Sequence, residues 1–177
     1  MRVWLRSVCL AVWLVAGAAW AGDKPASSPC SAPEHHQFDF WIGHWDVFLP
    51  NGSKAGENRI EPIEGGCALL EQWSGARGPT GKSLNIYDAL RRIWHQTWVD
   101  SSNSRVEFAG GLADGRMVLL GYWKDVNGPG QSALIRMTYS KTPDGSVRQH
   151  GEQSTDHGLN WSTNFDFTYH PKAKAAP

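Results

Sequence analysis

Neither charge dominates this 177-residue sequence: 17 Lys and Arg stand against 17 Asp and Glu. That balance excludes a polybasic nucleic-acid surface and an acidic tail as the basis of function. Cysteine is scarce, at three residues, and shows none of the paired spacing of a zinc site. Seven histidines are present, but no HExxH or similar local ligand motif accompanies them, and no metal site is expected. His35-His36 adjoin the N-terminal segment and His157 sits in a turn, so most histidines are expected to face solvent. No G-x-S-x-G elbow marks a nucleophile. The glycine pairs Gly65-Gly66 and Gly110-Gly111 follow strand-like segments with no helix start behind them, so they are turns or bulges and not phosphate loops. With 41% hydrophobic and 19% charged residues, the chain has the composition of one globular domain.

Only the N-terminus carries a continuous apolar run. Arg2 and Arg6 precede Ser7 to Ala18, and Ala19-Trp20-Ala21 closes the run as an A-x-A cleavage site. The pattern is that of a secretory signal peptide over residues 1–21, and it is short of the roughly 20 apolar residues of a membrane span. A periplasmic or secreted product is expected, with no membrane span once the leader is removed. No cysteine follows the cleavage point to carry a lipid. Cleavage leaves 156 residues with a net charge of −2, enough to bury about 70% of the unfolded surface. Cys9 departs with the leader, leaving Cys30 and Cys67. In an oxidising compartment an even pair points to one disulfide, here tying the N-terminal segment to the start of the third strand.

Residues 22–33 and 171–177 lack any hydrophobic period and are expected to be mobile tails around a domain over 34–170. Within that domain nine turn signals recur, from Pro50-Asn51-Gly52-Ser53 through Asp88-Ala89 to Asp156-His157-Gly158, and divide it into ten segments. Most alternate and favour aromatic or β-branched residues, as in GRMVLLGYWK (115–124), SALIRMTYSK (132–141) and NWSTNFDFTY (160–169). In the last, Trp161, Thr163, Phe165, Phe167 and Tyr169 share a face. Glu34 to Ile42 alone has helical spacing, through Phe38, Trp41 and Ile42. Short strands at this spacing, joined as consecutive hairpins, predict an all-β fold: a closed antiparallel up-and-down barrel of about ten strands with a short N-terminal helical turn.

Phe38 to Phe48 reads FDFWIGHWDVF and contains Gly43-His44-Trp45, a G-x-W at the start of the first strand. It resembles the calycin superfamily of lipocalins, fatty-acid-binding proteins and nitrobindin-like barrels. The stretch from Phe38 to Tyr169 resembles uncharacterised exported bacterial barrel proteins of that kind. The resemblance implies a barrel fold and a habit of binding small molecules, and by itself implies no particular reaction. It also implies that Trp45 closes one end beneath the ligand cavity. The nitrobindin branch ligates haem through a histidine near the end of its last strand. Here that strand offers Asn164 and Asp166 instead, so no haem and no other cofactor is expected. His170 falls at the rim, and His95 or His150 would have to supply any ligand from another strand.

Seven tryptophans remain after the leader: Trp41, Trp45, Trp73, Trp94, Trp98, Trp123 and Trp161. Trp41, Trp45 and Trp161 are expected in the core, and an aromatic-lined cavity could use indole N–H groups as donors. In the hairpin from Gly81 to Asp100, one register pairs Ser83 with Trp98, Asn85 with Gln96 and Tyr87 with Trp94. One face then shows these six residues and the other Leu84, Ile86, His95, Thr97 and Val99. The amide-rich aromatic face suits a ligand, but alternation does not say which face is inside. The expected ligand-binding set is Glu71, Trp73, Asn85, Tyr87, Gln96, Trp98 and Arg136. Arg136 would partner Glu71 or clamp an anionic head group, unless both are exposed. A small-molecule binder is the leading expectation, with no catalytic residue assigned. The rivals are an enzyme using Glu71 or His95 as acid or base, and an interaction module with outward tryptophans. Oligomeric state is not legible.

Overall fold

The computed structural model describes residues 29–173; the expected leader lies outside them. Ten strands follow in order: β1 (Gly43–Phe48), β2 (Lys54–Ile63), β3 (Ala68–Gly75), β4 (Thr80–Asp88), β5 (Ile93–Asp100), β6 (Arg105–Ala113), β7 (Arg116–Trp123), β8 (Ala133–Lys141), β9 (Val147–Ser154) and β10 (Ser162–Pro171). Each pairs antiparallel with the next, and β1 pairs with β10 to close the barrel. The nine connections fall at the nine turn signals. The tightest joins β6 to β7 through Asp114 and Gly115, both at positive φ, the pair a two-residue hairpin turn favours. Among the described residues no helix is long and apolar enough to cross a membrane.

Alternation sorts the side chains. On β8, Ile135, Met137 and Tyr139 are buried while Arg136 and Thr138 between them are partly open to solvent. On β4 and β5 the observed pairs are Ser83 with Trp98, Asn85 with Gln96 and Tyr87 with Trp94. The amide-bearing face is the inner one: Ser83, Asn85 and Gln96 are buried, whereas Leu84, Ile86 and Val99 are exposed.

One end of the barrel is filled. The expected helical turn is two 3-10 turns, Pro33–His36 and Asp39–Trp41, which bring Phe38 and Trp41 to full burial. Phe38 stacks on Trp41 with centroids 4.8 Å apart and meets Tyr139 edge-on at 4.9 Å. Trp45 donates from its indole nitrogen to the Trp41 carbonyl over 3.0 Å and packs against Tyr169. A disulfide from Cys30 to Cys67, with Cα atoms 5.1 Å apart, fastens this segment to the corner before β3. The disulfide thus anchors part of the stretch expected to be a mobile tail.

Two expectations fail here. Trp161 is not core: β10 starts one residue later, and a register shift between Thr163 and Phe165 breaks the simple alternation. Its indole lies under the Arg136 guanidinium, 4.1 Å from the ring centroid, on the barrel's outer side. His35 is buried rather than solvent-facing, its ring edge-on to Tyr87 at 5.2 Å.

Candidate functional site

The other end is open, and a cavity of about 220 Å³ runs inward from it. Its walls carry Trp73 of β3, Trp98 of β5, Trp123 of β7, and Phe165 and Phe167 of β10. These rings lie against the wall because neighbouring strands make room for them. A Cβ at Gly81 would overlap the Trp98 ring, and one at Gly151 the Phe165 ring. Two of the three lining indoles have their N–H groups committed elsewhere: Trp98 donates to Asp100 over 3.1 Å and Trp123 to the Ser104 hydroxyl over 2.7 Å. Trp45, Trp94 and Trp161 also donate to the protein itself. The cavity is therefore offered the π faces of Trp98 and Trp123 rather than their N–H donors, contrary to the expected role of the indoles.

A closed circuit of hydrogen bonds forms the floor, between the open mouth and the filled end. Ser83 Oγ donates to Glu71 Oε2 (2.5 Å) and Asn58 Nδ2 to Glu71 Oε1 (2.7 Å). From Ser83 the circuit continues through Asn85 (2.9 Å) and Gln96 (2.8 Å). It crosses to the Tyr139 hydroxyl (3.5 Å) and on to Gln149 (2.9 Å). The Tyr169 hydroxyl donates to Gln149 Oε1 (2.5 Å) and accepts from Asn58 Nδ2 (3.4 Å). Most buried amides and hydroxyls in such a circuit satisfy one another, which is how a polar layer survives inside a barrel, but the Asn58 side-chain oxygen is buried without a partner.

Glu71 is the only carboxyl in the circuit, and among the described residues no cation faces it. Burial pushes its carboxyl up to about 7, against the opposing hydrogen bonds from Ser83 and Asn58. Burial, with the Glu71 charge, also raises the Tyr139 and Tyr169 hydroxyls well above the ordinary tyrosine value, so both stay protonated. None of the cavity-lining residues is Lys, Arg or His.

The structure brings Glu71, Trp73, Gln96 and Trp98 together around this cavity. Asn85 stands behind them, inside the circuit, bonded to Ser83 and the Leu69 carbonyl. Tyr87 also points inward but lies at the filled end, beside His35 and Trp94. Arg136 is placed differently from expectation. Sitting between inward Ile135 and Met137, it faces out and pairs with Glu152 over 2.9 Å, so it neither neutralises Glu71 nor reaches the cavity. His95 pairs with outward Ile86 and lies 4.0 Å from Asp88, away from the cavity, which removes it as an acid or base there. His150 bonds Thr163 and His170 bonds Ser146, each outside the cavity lining.

The expected ligand-binding set missed Asn58, Tyr139 and Gln149 of the circuit and Phe108, Trp123, Phe165 and Phe167 of the cavity lining. Asn58 could have been found from register, since it pairs with Trp73 and shares its inward face. Tyr139 follows from the alternation of Ile135 and Met137. Gln149 lies on a strand too polar to reveal its inner face. No known protein family matches the chain, and no curated protein matches it.

Proposed function

We propose that this chain is an exported, non-enzymatic carrier or sensor of a small molecule, held in the open half of the barrel. The observation that carries the reading is the cavity itself: aromatic walls above a hydrogen-bonded polar floor, in a barrel whose other half is packed solid. The closed ten-strand antiparallel architecture fits a calycin-like fold, and the Cys30–Cys67 disulfide fits an oxidising compartment. Glu71, Trp73, Gln96 and Trp98 contact the ligand. Asn85 holds the floor in place, and Tyr87 and Trp45 belong to the filled end. The volume lies below the roughly 300–1,000 Å³ of drug-sized sites, which favours a compact ligand over a long acyl chain.

Native mass spectrometry of the protein purified from its own host tests this. A co-purifying small molecule that is lost when Trp98 and Phe167 are both replaced by Ala supports it. Ligand-free protein under every growth condition counts against it. A carboxyl titrating near neutrality also suits a general acid or base, so an enzyme acting through Glu71 is the second reading. A ligand recovered chemically changed after incubation, and unchanged with Glu71→Gln, would favour it.

A further inference from the structure

Resting on that reading, the geometry points to the class of ligand: we propose that the cavity takes a compact aryl-alkyl ammonium ion, amine end inward. Its N–H groups would donate to the Glu71 carboxylate and the Gln96 side-chain carbonyl. Its apolar body would lie between Trp98, Trp123 and Phe167.

Three observations converge. First, the floor offers acceptors. Both Glu71 oxygens already take one hydrogen bond, from Asn58 and Ser83, but a carboxylate has about four lone-pair sites and keeps room for more. Gln96 uses its amide nitrogen three times within the circuit and its carbonyl oxygen not at all. Second, the walls offer π faces, since the Trp98 and Trp123 N–H groups are tied to Asp100 and Ser104. Such faces stack on an aryl ring, so the walls hold the ligand's apolar body while the floor holds its charge. Third, among the described residues the buried carboxyl has no counter-charge: Arg136 is on the outer surface with Glu152, and the lining contains no basic side chain. An anionic ligand would meet an acid with no cation to receive it, whereas an ammonium ion supplies the missing partner.

Binding is then linked to one proton. Asn58 of β2, Ser83 and Asn85 of β4, Gln96 of β5 and Gln149 of β9 do not titrate. Tyr139 of β8 and Tyr169 of β10 stay protonated. At the rim, partial burial of Asp100 acts to raise its pKa, but hydrogen bonds from Ser102 and Trp98 hold it below the ordinary value, so it stays ionised. Among the groups that line the cavity and its floor, Glu71 alone changes charge between pH 5 and 8, and the ammonium ion binds its ionised form.

Calorimetry with three isosteric probes, 2-phenylethylammonium, 2-phenylethanol and phenylacetate, tests the proposal on the wild-type protein and on Glu71→Gln. At pH 8 the ammonium should bind at least about tenfold tighter than either comparator, and at pH 6 about tenfold more weakly than at pH 8. A primary alkylamine stays protonated throughout that window, as lysine does. Glu71→Gln should abolish the preference for the ammonium while still binding the alcohol. If the alcohol or phenylacetate binds as well as the ammonium, or the preference survives Glu71→Gln, the ammonium assignment is overturned and the binding cavity stands. If none of the three binds at millimolar concentration, both fall.

Discussion

At the filled end of the barrel Phe38 and Trp41 are fully buried and stack on each other; at the open end Trp73, Trp98 and Trp123 keep part of their surface free. Both ends are aromatic, so residue type does not distinguish them. What differs is the cover. An N-terminal segment held by the disulfide lies across one end, while at the other the rings lie back over glycines on the next strand. The same side chains serve as core where the chain returns over them and as ligand wall where it does not. The polar circuit through Glu71 is the boundary between the two halves.

The contrast can be broken first at the plug. Trp41→Ala removes a fully buried indole and should cost about 3–5 kcal/mol, read by urea denaturation. Trp98→Ala should cost less than half as much, because the ring is not fully enclosed. Equal losses would mean that the two ends are equally packed. The tether comes next: replacing Cys30 and Cys67 by Ser should destabilise by about 3–4 kcal/mol, for a bond spanning 37 residues. Hydrogen exchange should then rise in residues 33–41 more than in β4 and β5. Uniform loss of protection would contradict the view that the disulfide holds the cover in place.

Glu71 gives the third test. Its folded-state pKa is raised from 4.5 to about 7, so the folded state holds a proton that the unfolded chain releases across this window. The stability that Glu71 contributes is therefore fully present below pH 4.5 and is lost as pH rises to 7, by about 3 kcal/mol for this group. Exposed acids held low by partners, such as Asp156 at about 2, act in the opposite sense but only below this window. Subtracting the profile of Glu71→Gln isolates the Glu71 component. A difference profile flat between pH 4.5 and 7 would contradict a buried, uncompensated carboxyl.

Much of this architecture was legible in the chain. Turn residues are chosen by backbone conformation, so the nine connections and the register of β4 on β5 could be read directly, and with them the shared face of Ser83, Asn85 and Gln96. The side on which that face lay could not, because alternation is symmetric about the sheet. It is decided by closure and by the plug, which are tertiary facts. Arg136 was misread because Glu71 seemed to require a cation, although Ile135 and Met137 on either side already place it outward. The structure meets that need with Ser83 and Asn58 instead, and leaves the charge unpaired. Trp161 was misread because a bulge shifts parity without any local sequence mark. Gln149 lies on a strand whose polar residues fall on both faces, so no apolar stripe reveals its orientation.

A carbon-13 NMR titration of the Glu71 side-chain carboxyl in ligand-free protein, assigned by its disappearance in Glu71→Gln, tests the boundary between the two halves most directly. The midpoint should fall near pH 7, as a buried carboxyl with no cation beside it requires. A midpoint at or below the ordinary glutamate value near 4.5 would show that Glu71 is solvated or paired, and would contradict the account of a buried, acceptor-lined floor.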